Sequence, residues 1–179
     1  MPELPPLPAP NPVNQKKGKQ NRAEGKAFED RLDAAFAYYT EMGYAQIDKT
    51  PEPFKIIRRL EQTRFIGCFT KNAQPDYKGT VSGGRTVIFE AKYTTSDRIT
   101  QDRVSDEQSL YMDLATKLGA RCYVIAGFQS GRAYRIPWFV WRDMKDHFRH
   151  KYVTEEELES FRIPVAWDGR LQILAERKE

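Results

Sequence analysis

Residues 75–92 read Pro75-Asp76-Tyr77-Lys78-Gly79-Thr80-Val81-Ser82-Gly83-Gly84-Arg85-Thr86-Val87-Ile88-Phe89-Glu90-Ala91-Lys92, and this stretch decides how the chain is built. Ser82-Gly83-Gly84-Arg85 is rich in residues that tolerate positive φ, the mark of a tight hairpin turn. A strand over Asp76 to Val81 leads into it, and Thr86 to Lys92 is the return strand. Side chains alternate across a strand, so Val87, Phe89 and Ala91 share one face while Ile88, Glu90 and Lys92 share the other. At ~3.3 Å rise per residue, Glu90 and Lys92 stand about 7 Å apart along the strand. Pairing about the turn brings Asp76 beside them. Two carboxylates and one amine are therefore expected at one end of a hairpin.

Upstream, Ala23, Ala27, Phe28, Leu32, Ala35, Phe36 and Tyr39 recur at spacings of three and four, which predicts an amphipathic helix over about Asn21 to Tyr39 that stops at Gly43. Ala45 to Thr50 reads as a short strand broken by Pro51 and Pro53, and Arg64 to Phe69 as another. Downstream, Thr94 to Arg103 is polar loop. Ser105 is placed to cap a helix running to Leu118, with Asp106 and Glu107 in its first turn and Gly119 as its stop. Cys122 to Phe128 is a continuous apolar run of strand length, as a buried central strand requires. Gly131 turns it into a strand over Ala133 to Ile136. A helix around Phe139 to Phe148 follows, then a short one opened by the capping-box pattern Thr154-Glu155-Glu156-Glu157. This order of elements predicts a mixed α/β domain.

The chain has 179 residues, of which 40% are hydrophobic, enough for one packed core. Mean hydropathy is −0.71 and no apolar run approaches the ~18 residues of a membrane span, so a soluble protein is expected. Cys68 and Cys122 are too few for a disulfide framework or a four-cysteine zinc site, which points to a reducing, cytoplasmic setting. Both are expected as buried thiols. The net charge is only +4, but it is unevenly spread. Residues 1–26 hold five basic against two acidic residues, residues 27–48 one against five, and residues 49–103 eleven against six. Six prolines in the first twelve residues predict a disordered arm over 1–20, ahead of a domain over 21–179. Lys16, Lys17, Lys19 and Arg22 of its basic end read either as a solubilising tail or as phosphate contacts from a mobile arm.

The trio at the hairpin end is what a metal-dependent phosphodiesterase needs. Two carboxylates supply hard oxygen ligands for Mg²⁺, which completes its octahedron with water and phosphate oxygens. A neighbouring lysine can orient a water or offset developing charge. The same residue types also read as a surface salt bridge, Glu90 with Lys92 or with Lys78.

Pro75-Asp76 followed by Glu90-Ala91-Lys92 resembles the PD-(D/E)xK nuclease signature. The fuller strings Asp76-Tyr77-Lys78-Gly79 and Phe89-Glu90-Ala91-Lys92 resemble the RecU Holliday-junction resolvases, as do Asn21 to Glu29, Gln108 after the loop, and Ile136-Pro137. The resemblance covers about residues 20 to 165. It implies a restriction-endonuclease-like α/β core, a central mixed sheet flanked by helices, with a protruding basic stalk over about 55–72. It implies Asp76 and Glu90 as ligands of Mg²⁺, with Mn²⁺ able to substitute, Lys92 at the attacking water and Gln108 in the metal shell. Glu29 would be the first-helix carboxylate aimed at the site, unless it is simply an exposed helix charge. Gln74 stands where the family commonly has Thr, and its carbonyl could reach a metal. In the stalk, Arg58, Arg59, Arg64 and Lys71 would contact DNA backbone, and Lys78 would do so beside the site; the stalk also reads as a solvated strand pair. The implied activity is paired nicking of four-way DNA junctions by a homodimer, with no membrane association. The alternatives are a junction-binding or recombination-regulating protein with little cleavage, and a general or restriction-type nuclease. Asp143, Asp146, His147 and His150 read as solvent-facing helix side chains rather than a metal site, and Trp138, Trp141, Phe148 and Tyr152 as packing residues.

Overall fold

The computed structural model describes residues 12–51, 54–61, 64–69 and 74–175, with the side chains of 12–17, 19 and 69 left undescribed. Helix α1 (Pro12–Glu41) is followed by strands β1 (Ala45–Lys49), β2 (Phe54–Arg59), β3 (Phe65–Phe69), β4 (Tyr77–Val81), β5 (Arg85–Thr94) and β6 (Arg98–Thr100). Helix α2 (Asp106–Lys117), strands β7 (Arg121–Phe128) and β8 (Ala133–Pro137), helices α3 (Trp138–Arg142) and α4 (Met144–Phe148) and strand β9 (Tyr152–Thr154) complete the order.

Five strands form one mixed sheet in the order β1-β4-β5-β7-β8. The hairpin β4–β5 pairs antiparallel with Tyr77 opposite Phe89, and its turn carries Gly83 and Gly84 at φ 86° and 79°. Strand β5 pairs parallel with β7, a connection that needs a crossover, and α2 supplies it. Phe28, Leu32 and Phe36 of α1 pack on one face of the sheet against Val87, Phe89 and Ile125. Met112 of α2, with Trp138, Trp141 and Leu158, packs on the other against Ile88, Val124 and Ala126. The two tryptophans are therefore core residues. Gly127 lets α1 approach β7 closely: a Cβ there would lie 2.6 Å from the Phe28 ring. At Gly79 a Cβ would lie 2.0 Å from the Gln46 carbonyl oxygen of β1.

Several expectations are corrected. Helix α1 begins at Pro12, so residues 12–20 are helical rather than a disordered arm, and residues 1–11 lie outside the described part. Proline at the first helical position loses no hydrogen bond, and the lysines and glutamines after it extend an existing helix cheaply. The stalk region is a two-stranded sheet in which β2, read in the sequence only as half of a possible strand pair, pairs antiparallel with β3. Every residue of β2 is exposed and, among the described residues, the pair joins no strand of the main sheet; Phe54 and Phe65 meet edge-on at 5.4 Å. Cys68 is on this hairpin and is exposed, whereas Cys122 is buried as expected. The polar loop contains β6, which pairs with β9. The expected helix over 139–148 divides at Asp143, whose φ of −99° and ψ of 33° leave the helical region. Thr154 and Glu157 do exchange capping hydrogen bonds, but only a 3₁₀ turn at Glu159–Phe161 follows, with Leu158 buried in the core.

Candidate functional site

The β4–β5 register places Asp76, one residue before β4, across from Glu90. The backbone N–H of Asp76 donates to Glu90 Oε2 at 3.3 Å, and the backbone N–H of Ala91 donates to Asp76 Oδ2 at 2.8 Å. Each carboxylate is thus fixed by the opposite strand. Glu90 is fully buried, and its Oε1 accepts from both Lys92 Nζ and Gln108 Nε2, the latter at 2.8 Å. Gln108 is oriented by the capping box of α2: its backbone N–H donates to Ser105 Oγ and its Oε1 accepts from the Ser105 N–H, both at 3.2 Å. It therefore presents its amide NH₂ to Glu90 and commits its carbonyl to the helix cap.

Burial is the main reason the Glu90 carboxyl is pushed up to about 7; the Asp76 charge adds to it and Lys92 opposes it. Burial likewise raises Asp76, with the Glu29 charge adding and the Ala91 N–H and Lys92 opposing. A fully buried and a partly buried carboxylate that both resist ionisation form a site favouring a cation between them. The donor set fits Mg²⁺, a hard ion satisfied by one or two carboxylates with water and phosphate oxygens making up its shell. Among the described residues no cluster of three or more Asp, Glu, His or Cys side chains is present, Asp143, Asp146, His147 and His150 included.

Asp76, Glu90, Lys92 and Gln108 are thus joined in one hydrogen-bonded cluster, whereas Glu29 and Gln74 are engaged beside it. Glu29 pairs with Lys49 at 2.6 Å, and Lys49 also lies 3.9 Å from Asp33, which accepts from the Tyr77 hydroxyl at 2.6 Å. Gln74 accepts from Lys78, whose ammonium lies 5.7 Å from the Tyr111 ring centre. Arg58, Arg59 and Arg64 are exposed on the β2–β3 hairpin. Lys16, Lys17 and Lys19 fall in the first turns of α1, and Lys71 lies outside the described residues.

A groove of about 420 Å³ runs between α1 and the end of β5, lined by Arg22, Glu29, Lys92, Thr94, Thr95 and Arg103 among others. Arg103 carries no motif in the sequence, where it falls in polar loop. Its guanidinium donates to the Tyr93 carbonyl at 3.3 Å, which holds a positive charge at the groove that Lys92 also lines. Lys49 is equally unmarked in the sequence, since only the packing of α1 on β1 reveals its pairing with Glu29.

A Pro-Asp and Glu-x-Lys trio at the end of a hairpin, backed by a capped helix on a mixed sheet, has the form of a PD-(D/E)xK nuclease site. The chain belongs to the RecU family, Recombination protein U, whose family model matches residues 23–175. It is 30% identical over 146 residues to the Holliday junction resolvase RecU of Streptococcus equi subsp. equi, covering 71% of each chain. It is 26% identical over 163 residues to that of Geobacillus kaustophilus, covering 84% of this chain and 81% of that protein. The 31% identical match to the Pediococcus pentosaceus protein of the same name covers 58% of this chain and spans only 54% of that relative. A solved Holliday junction resolvase, Hjc of Archaeoglobus fulgidus, aligns over 76% of this chain and 88% of its own with a TM-score of 0.47 and 13% identity.

Proposed function

We propose that this chain is a divalent-metal-dependent endonuclease that resolves four-way DNA junctions by paired nicks, acting as a homodimer. The observation that carries the reading is the Asp76–Glu90 pair, Glu90 fully buried and Asp76 partly so, held by backbone N–H groups and faced by Lys92. A binding-only protein gains nothing from two carboxylates near phosphate, which they repel. The names of the RecU relatives supply the substrate class.

In this reading Asp76 and Glu90 hold Mg²⁺, or Mn²⁺ in its place. When bound, the ion lowers the pKa of a water and offsets charge on the phosphate oxygens. Lys92 lies against Glu90 with its side chain only 16% exposed, so it meets a phosphate at the site as a partly desolvated point charge. Gln108 acts through Glu90: its N–H holds Oε1, so that Asp76 and Glu90 Oε2, which also accepts the Asp76 N–H, would be the oxygens offered to the ion. Glu29, tied to Lys49, borders the groove in which the scissile strand lies, and Arg22 and Arg103 take neighbouring phosphates there. Lys78 would contact backbone phosphate beside the site, and Gln74, which accepts from it, would contribute its carbonyl to the metal shell. Arg58, Arg59 and Arg64 contact the junction from the hairpin, Lys16, Lys17 and Lys19 from α1, and Lys71, outside the described residues, would add a further backbone contact.

The test is nicking of a synthetic mobile junction with Mg²⁺, with Mn²⁺ and with a chelator. Nicks in either metal and none in chelator are expected. Undiminished cleavage in chelator would overturn the metal assignment.

A further inference from the structure

Helix α1 stops at Glu41 and leaves uncovered the end of the sheet where β5 and β7 begin. Alternation along β7 and β8 turns Arg121, Tyr123 and Arg135 onto this stretch, on the face that Ile125 and Ala133 fill further along. The segment 164–175 crosses opposite them. It is tied down by the Leu174 N–H, which donates to Tyr39 Oη at 3.1 Å, and by Arg135, which donates to the Ile173 and Ala175 carbonyls. A pocket of about 510 Å³ remains between helix, strands and segment. Val81, Val87, Leu171 and Leu174 give it apolar walls, and Arg121, Arg135 and Arg170 give it positive charge. Among the described residues no carboxylate lines it, and Arg121 has no ion pair or side-chain hydrogen bond. Asp168 pairs with Arg170 at 2.6 Å from outside the lining.

Trp167, 98% exposed, stands at the tip of a turn closed by two backbone hydrogen bonds, Gly169 N–H to the Ala166 carbonyl and Ala166 N–H to the Arg170 carbonyl. Ala166 and half-exposed Tyr44 also line the pocket, so turn and pocket form one surface. A tryptophan held on a fixed turn beside arginines contributes little to the fold, and it has the composition of an interface hot spot.

We propose that this pocket docks an acidic peptide segment of another protein, one apolar side chain seated between the valines and leucines and its flanking carboxylates paired with Arg121, Arg135 and Arg170. A guanidinium has five donors, so Arg135 and Arg170 keep free N–H groups after the bonds already described. Shape and charge together select this class. An inorganic anion would use the arginines but leave the apolar walls wet. Nucleic acid would need open ring faces on which to stack its bases, and here those faces are taken: Arg170 lies 3.3 Å from the Tyr38 ring centre and Arg135 5.2 Å from that of Tyr123. The pocket lies toward the β4–β5 turn, whereas Asp76 and Lys92 lie at the other end of that hairpin, so the proposal does not depend on the nuclease reading.

Fluorescence anisotropy tests it on the full chain with three labelled polyaspartate peptides, interrupted once by leucine, phenylalanine or tryptophan. At least one should bind in the micromolar range. Uninterrupted polyaspartate should bind the wild type at least about tenfold more weakly, as should the interrupted peptide to Arg121→Glu or Trp167→Ala. In ¹⁵N-labelled protein the Trp167 indole resonance should move on binding, while those of the buried Trp138 and Trp141 stay in place. Arg121→Glu should nick junctions at the wild-type rate. No binding of any interrupted peptide at millimolar concentration, equal binding of uninterrupted polyaspartate, or full binding to Arg121→Glu would overturn the proposal. So would a peptide that binds only after residues 176–179 are deleted, because the chain's own continuation would then fill the pocket. Displacement of the peptide by oligothymidylate, or loss of nicking in Arg121→Glu, would make the pocket a DNA surface and overturn it too. A wild type that binds peptide but nicks no junction would count against the nuclease reading alone.

Discussion

Glu90 holds a proton in the folded chain at pH values where an unfolded glutamate has lost it. Its pKa of about 7 lies above the ordinary 4.5, so between those values the folded state binds more protons than the unfolded state. The stability tied to that proton is fully present below 4.5 and is lost as pH rises through about 7. Calorimetric melting of metal-free protein should therefore show a falling Tm across this window, and Glu90→Gln should flatten the fall. Mg²⁺ should raise Tm more at the alkaline end, where both carboxylates are ionised for it. Lys92→Met should lower nicking by at least about 100-fold, in line with the loss of one preorganised charge-stabilising group, while junction binding measured by fluorescence anisotropy is kept. Asp76, Glu90 and Lys92 are legible in the sequence because turn chemistry and period-two alternation are local. The direction of the Gln108 amide is not, because it depends on a helix cap meeting a strand eighteen residues away. The capture of Glu29 by Lys49 is hidden for the same reason: it needs α1 packed on β1.

Hairpin β4–β5 sets the site, and two glycines set how closely its neighbours approach. Gly127→Ala forces a methyl against the Phe28 ring and should destabilise the fold by about 1–3 kcal/mol, seen as a lower urea midpoint. Gly79→Ala meets backbone of β1 instead of a ring that can turn, so its cost should be the larger of the two. Among the described residues the β2–β3 hairpin stands apart from the main sheet, which suits a surface kept for a ligand. If Arg58, Arg59 and Arg64 touch phosphates, replacing all three with alanine should weaken junction binding and reduce the salt dependence of log K by about 0.9 for each phosphate no longer neutralised; an unchanged slope would remove them from the interface. Regular elements with strong periodicity, such as α2 and β7, are readable from sequence. Strand β2 shows in the sequence only as one of two readings of the stalk, and the first turns of α1 do not show. Proline reads as a breaker at both, yet Pro53 only precedes β2 and Pro12 only opens α1.

Across the chain, the small net charge conceals a basic hairpin, a groove with Arg22, Lys92 and Arg103, and an acidic stretch in α1. Helix α1 covers one face of the sheet and α2 the other, and the groove opens by α1. The order of predicted elements indicates an α/β chain and the sequence concentrates positive charge in residues 1–26 and 49–103, but which face each charge or leucine occupies emerges only when strands far apart in sequence pair. The nuclease reading is tested most directly by mapping the nicks that wild type and Asp76→Ala make on a mobile four-way junction and on a linear duplex of the same sequence, in Mg²⁺. Paired nicks in two strands of like polarity are expected on the junction, with little cleavage of the duplex and none of either with Asp76→Ala. Equal cleavage by Asp76→Ala and wild type, or no preference for the junction, would contradict that reading.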